Sequence, residues 1–211
     1  MNKLLIAVSL CTTFGLAYAQ APSGKAATPP PGKPAAPPSG AAAGAPPMME
    51  MPKPGPDQDA LKPFIHSGSY TGTRVGPDGK EMPEKGKQTC KWLPGNMWAS
   101  CDIDMTAGTG KTAMKWMGHL VMGYDTMAKA YRAVMTDNMG MMGRMKGTLD
   151  GKKMVWESMD EMKGGPPGMP SKERVTDDAT DPKVEKMTFE GWMGGKWVPM
   201  GSGEFKNAGG K

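Results

Sequence analysis

Turn chemistry divides most of this chain into pieces too short for long helices. From Ser67 to Phe205 glycine recurs every few residues, and a glycine in a helix interior costs about 1 kcal/mol relative to alanine. The pieces between the breaks are Ser67–Val75, Gln88–Leu93, Met97–Met105, Thr112–Gly123, Ala130–Thr136, Met141–Leu149, Met154–Met159, Glu173–Thr176, Val184–Trp192 and Lys196–Phe205. Pro77-Asp78-Gly79, Pro94-Gly95-Asn96, Tyr124-Asp125 and Asp150-Gly151 separate several of them, and these are turn-forming residues. Short segments at this spacing predict an all-β, antiparallel domain, either a barrel or a sandwich. One helical turn, Asp57 to Ile65, is expected before the first strand, with Asp57 as its cap.

The segment ahead of this domain has a different character. Lys3, the apolar run Leu4–Leu10 and Ala17-Tyr18-Ala19 form the three parts of a secretory signal, so residues 1–19 are expected to be removed before Gln20. A retained anchor is disfavoured because Thr12-Thr13 interrupts a run shorter than the roughly 20 residues a span needs. Bulky Leu10 before Cys11 argues against lipid modification. Residues 20–54 consist largely of Ala, Pro and Gly and form a tether, since they offer too little apolar surface to offset the entropy of ordering. The folded domain is expected over 55–207, with a flexible tail at 208–211. The whole chain carries a net charge of +5, and its charges alternate in sign. A nucleic-acid partner would want them gathered on one face, so none is expected. Neither is a transmembrane segment in the mature chain, which is expected in the periplasm or outside the cell.

After signal removal two cysteines remain, Cys90 and Cys101, in a compartment where disulfides persist. They are symmetric about Gly95-Asn96. A two-residue loop would require Pro94 to donate an N–H that it lacks, whereas a four-residue loop, Pro94–Met97, puts it in a favoured turn position. Leu93–Trp98 is then a hydrogen-bonded pair and Cys90–Cys101 a non-hydrogen-bonded one, where side chains come closest. A disulfide is expected there.

Pro54-Gly55-Pro56, Leu61-Lys62-Pro63-Phe64, Trp92-Leu93-Pro94-Gly95, Met122-Gly123-Tyr124-Asp125, Ala130-Tyr131, Asp137-Asn138, Gly147–Lys152 and Glu173-Arg174-Val175 together resemble a bacterial family, domain of unknown function 1579. The resemblance covers nearly all of the domain and none of the tether. It implies a lipocalin-like (calycin-type) antiparallel barrel and brings no established activity. The family's Gly-x-Trp near the first strand is replaced here by His66-Ser67-Gly68.

No catalytic constellation stands out, and no cofactor is required. Trp116, Tyr124, Tyr131 and Trp156 fall in or beside strands; they fill a small barrel's interior or line a site for a small apolar ligand. An envelope protein is the other class of partner. Methionine is in excess, 23 in the chain, and densest at Met139–Met145. Met139, Met141 and Met145 are expected on one strand face, where thioethers would suit Cu(I); core packing and reversible oxidation are the competing roles. His119 is read as a lone histidine sharing a face with Met117 and Val121. Asp177-Asp178 reads as turn chemistry. Gly108–Thr112 fails as a phosphate loop because Met105 stands where the first glycine belongs.

Overall fold

The computed structural model describes residues 52–76, 78–162 and 169–208. The expected signal peptide, almost all of the expected tether and residues 209–211 of the tail lie outside the described residues. A short helix α1 (Pro56–Asp59) and a 3-10 turn (Lys62–Phe64) lead into ten strands: β1 (Gly68–Val75), β2 (Glu81–Trp92), β3 (Trp98–Ala107), β4 (Met114–Asp125), β5 (Ala130–Asp137), β6 (Met142–Asp150), β7 (Lys153–Ser158), β8 (Glu173–Asp178), β9 (Val184–Met193) and β10 (Lys196–Asn207). Each strand pairs antiparallel with the next, and β1 pairs with β10 from Gly68↔Asn207 to Arg74↔Gly201, closing the ring. Of the two all-β architectures expected, the chain adopts the barrel.

Most strand segments match those expected, and β2 departs furthest by starting at Glu81 rather than near Gln88. Pro83 and Gly86 disguise its first half. Pairing on both sides (Thr71↔Lys85 and Lys85↔Thr106) holds it in the sheet regardless, because strand formation is decided more by neighbours than by propensity. The helix differs too. Gly55, not Asp57, is the N-cap, with Pro56 in the first turn, and the Gly55 N–H donates to Gln58 Oε1 at 2.9 Å.

Side chains alternate in and out along every strand. At the end where α1 sits, the inward residues are buried: Ala99, Cys101, Met122, Tyr131, Met154 and Trp156 pack with Leu61 and Phe64, which plug that end. Outward positions are polar over much of the surface, as in the run Lys85, Lys87, Thr89 and Lys91 on β2 and Asp102 and Asp104 on β3, all exposed. A lipid-facing barrel would carry an apolar band there, so this exterior suits water. Among the described residues no helix is long and apolar enough to cross a membrane.

Cys90 and Cys101 are bonded, directly opposite in the register, with Cα atoms 4.0 Å apart. Leu93 N–H donates to the Trp98 carbonyl at 2.8 Å, and Cys90 N–H turns away from β3 to Ser67 Oγ at 3.1 Å. The parity expected from the loop length is therefore observed.

Candidate ligand-binding lumen

Ten strands enclose more space than eight, whose interior is about as wide as side chains alone can fill. Away from the plugged end, the inward faces change character. Ile103, Met105, Trp116, Met135, Met187 and Phe189 all face inward yet are only half-buried, and Leu120 and Val175, also half-buried, join this layer to the core. Gly143 is also inward, paired with inward Met135, and a Cβ built on it would meet nothing within 4 Å. Solvent therefore reaches the inward faces at this end, the mouth of the barrel.

The lumen is not uniformly apolar. On its wall, Arg74 of β1 reaches Glu84 of β2, Nε to Oε1 at 3.3 Å, and its guanidinium lies 4.3 Å over the Phe189 ring. Tyr70, buried beside them, packs edge-on to Phe189. Its hydroxyl lies over Gly72 and Gly203, near Glu84 but without a hydrogen bond of good geometry. Burial first, then the charge of Glu84, pushes Tyr70 above its usual pKa. Glycine is needed at both positions because a Cβ there would fall about 2.5 Å from the phenol.

Deeper, beneath the half-buried layer of Val175 and Met187, two carboxyl groups meet the floor. Asp177, at the end of β8, and Glu185, at the start of β9, are 8% and 7% exposed. Asp177 pairs with Met154 and Met187 in the register, both inward. Burial pushes its carboxyl up to about 7, against a hydrogen bond from Trp156. Glu185 is pushed up to about 9, by burial and then by the nearby Asp177 charge. His66 Nε2 stands 3.0 Å from Glu185 Oε2 but outside hydrogen-bond geometry, and neither ring nitrogen has a partner. Burial lowers the His66 pKa, so this contact is between two groups driven toward neutrality.

The aromatic residues expected to line a site all face inward, but not together. Tyr124 and Tyr131 meet edge to face at 5.1 Å. Trp156 adjoins Tyr131 over Gly147 at the plugged end. Trp116 is apart, near the mouth, its indole N–H donating to Asp137 Oδ2 at 3.0 Å. The methionine set is divided as well. Met145 is in the core, while Met139 and Met141 are exposed in the β5–β6 turn, their amides donating to Asp137 Oδ1. The same-face placement expected for the three fails because β6 begins only at Met142. Asp177 and Asp178 are strand residues rather than a turn. Sequence reasoning missed Arg74, Glu84, Asp177 and Glu185. The available signal was inward parity with Tyr70, Val175, Met187 and Phe189.

His119 is not alone either. On the outer face Asp102 lies opposite it in the register, with Nδ1 2.7 Å from Asp102 Oδ1 and Nε2 3.3 Å from Ser100 Oγ. The order matches that of an acyl-transfer triad, but the mid-strand setting does not. Ser100 is paired on both sides, to Lys91 and Val121, so neighbouring amides are committed to the ladder instead of forming an oxyanion hole.

The fold and lumen thus define a closed, ten-stranded, up-and-down barrel. Among solved structures it is similar to the crystal structure of Rv2717c from M. tuberculosis, with a TM-score of 0.51 and 9% identity over 74% of this chain and 99% of that one. At that identity the likeness is one of fold. No family model matches the chain, and no curated protein matches it in sequence.

Proposed function

We propose that this is an exported, non-enzymatic carrier whose barrel binds a small molecule with an apolar body in its lumen. The observation that carries the reading is the half-buried inward face near the mouth, together with the open space at Gly143. A binding pocket combines such apolar lining with a few polar groups, here Arg74, Glu84, Asp177 and Glu185. Export is supported by the tripartite leader and by the Cys90–Cys101 bond, of a kind that persists in oxidising compartments. The resemblance to domain of unknown function 1579 is proposed as a family relationship on the segments quoted above.

The test is a titration of the mature protein with the neutral fluorescent probe N-phenyl-1-naphthylamine, alongside native mass spectrometry of freshly purified protein. Gly143→Trp puts a large side chain where a Cβ meets nothing within 4 Å, and should weaken probe binding at least tenfold while the fold is retained. Equal binding by that variant, or no binding by the wild type, would overturn the reading.

A second reading rests on its own observation. Met117, Met139, Met141, Met142 and Met159 are all exposed near the mouth, where thioethers are open to oxidants or Cu(I). Cu(I) titration of a Met139→Leu/Met141→Leu/Met142→Leu variant tests it; unchanged binding would reduce the rim to surface packing.

A further inference from the structure

From the lumen floor we infer the ligand's chemical class: an amphiphile whose head is an organic cation, a protonated amine, seated against Asp177 and Glu185. The inference rests on the lumen reading above. It stands first on charge. The inward ionisable groups of the described wall and floor include Glu84, Asp177 and Glu185 against one cation, Arg74, and Arg74 is already committed to Glu84. Asp177 has no cation beside it, and Glu185 has only His66, 3.0 Å away, whose charged form burial disfavours. A buried carboxylate without a cation carries a large desolvation cost, and an incoming ammonium would relieve it.

The second observation is an unsatisfied atom. Asp177 Oδ1 is buried with no hydrogen-bond partner, on a side chain that is 8% exposed and faces inward. Buried polar atoms in folded proteins are almost always paired. An ammonium brings three donors, enough for this oxygen and for Glu185. A bare metal ion fits less well, since among the described residues no three His, Cys, Asp or Glu are grouped to hold one.

The third is the path. Val175 lies two residues before Asp177, and Met187 two after Glu185; both face inward and are half-buried. They form the apolar layer between the floor and the mouth, so a chain lying along them would deliver its head to the carboxyls. A carboxylate head would gain no ion pair there and would disfavour ionisation of the floor carboxyls further.

Proton release follows. Burial favours the protonated forms of the floor carboxyls, and an arriving ammonium favours their ionised forms. The other charged or titratable groups facing this part of the lumen are His66 ahead of β1, Tyr70 and Arg74 on β1 and Glu84 on β2. Met154 and Trp156 of β7 and Phe205 of β10 do not titrate.

Calorimetric titrations of the mature protein with decylamine, decanol and decanoate, each below its micellar concentration at pH 7, separate the two readings. Decylamine should bind at least tenfold more tightly than decanol, and decanoate more weakly than either. The amine's heat should change with the buffer's ionisation enthalpy, reporting proton release. In the Asp177→Asn/Glu185→Gln variant the amine's advantage over decanol should disappear. Decanol binding without amine preference, or preference surviving in the variant, overturns the cationic head and leaves the lumen reading intact. Failure of all three probes overturns both. Should the double variant fail to fold, Asp177→Asn alone must reduce the amine preference at least threefold.

Discussion

Arg74 and Glu84 form an ion pair inside the barrel wall, Nε to Oε1 at 3.3 Å, with the guanidinium stacked on Phe189. Glu84 is almost completely buried, whereas the Arg74 side chain is about one-third exposed. Removing one partner of a buried pair leaves a charge uncompensated. Glu84→Gln should therefore destabilise the barrel by about 2 kcal/mol, below the range for fully buried pairs because water reaches Arg74. Arg74→Met should cost less, since Glu84 can neutralise by taking a proton. Urea unfolding of both variants checks the order; a larger loss for Arg74→Met would contradict it.

The floor carboxyls give stability a pH dependence with a definite sign. Both Asp177 and Glu185 have raised pKa values in the folded state. The folded chain therefore holds more protons than the unfolded chain once pH exceeds their ordinary values of 3.8 and 4.5. Their contribution is fully present below about pH 4 and is lost as pH rises through about 7 and then 9. Asp178, pulled down to about 2 by Thr180 and Lys153, acts oppositely and loses its contribution in strong acid. Melting temperature should fall from pH 5 to pH 9. That decline should flatten in Asp177→Asn/Glu185→Gln; an equal decline in the variant would place the cause elsewhere.

The Cys90–Cys101 bond closes a short loop, with a sequence separation of 11. Both thiols should resist alkylation without reductant in the folded protein. Cys90→Ala/Cys101→Ala should cost about 2–3 kcal/mol in thermal or denaturant unfolding. Full labelling of the oxidised protein would refute the pairing.

Methionine should behave as two populations. Met122, Met145 and Met154 are in the core, whereas Met127, Met139 and Met142 are well exposed. Under mild peroxide the second group should oxidise first, as read by peptide mass mapping. Met145→Ala should cost about 2–4 kcal/mol, and Met142→Ala less than about 0.5 kcal/mol. Reversed oxidation order would mean that the core opens more readily than its packing implies.

How much of this was legible varies with the length scale of the cause. Turn residues and alternation located ten strands, and loop parity around Pro94 placed Cys90 opposite Cys101, because those are local constraints. Whether the sheet closed depended on β1 meeting β10, which no local signal encodes. The partnership of Asp102 with His119 also required cross-strand register. Asp177 and Glu185 were hardest to see. Charged residues near the ends of short strands look like turn chemistry, and only their inward parity with Val175 and Met187 reveals that they are buried. The methionine run was over-read for the opposite reason, as alternation was extended from β6 into a turn that does not follow it.

Ring closure by the first and last strands also governs when this protein can acquire its structure. Gly68 pairs with Asn207, so the seam joins residues near opposite ends of the domain's sequence, and such distant pairings form slowly. A chain still being synthesised, or cut short before Gly201, has every earlier hairpin available and no way to seal them. Until β10 is delivered, β1 and β9 each present an unpaired border to other chains. The interval between synthesis and sealing is when this molecule is most exposed to misassembly.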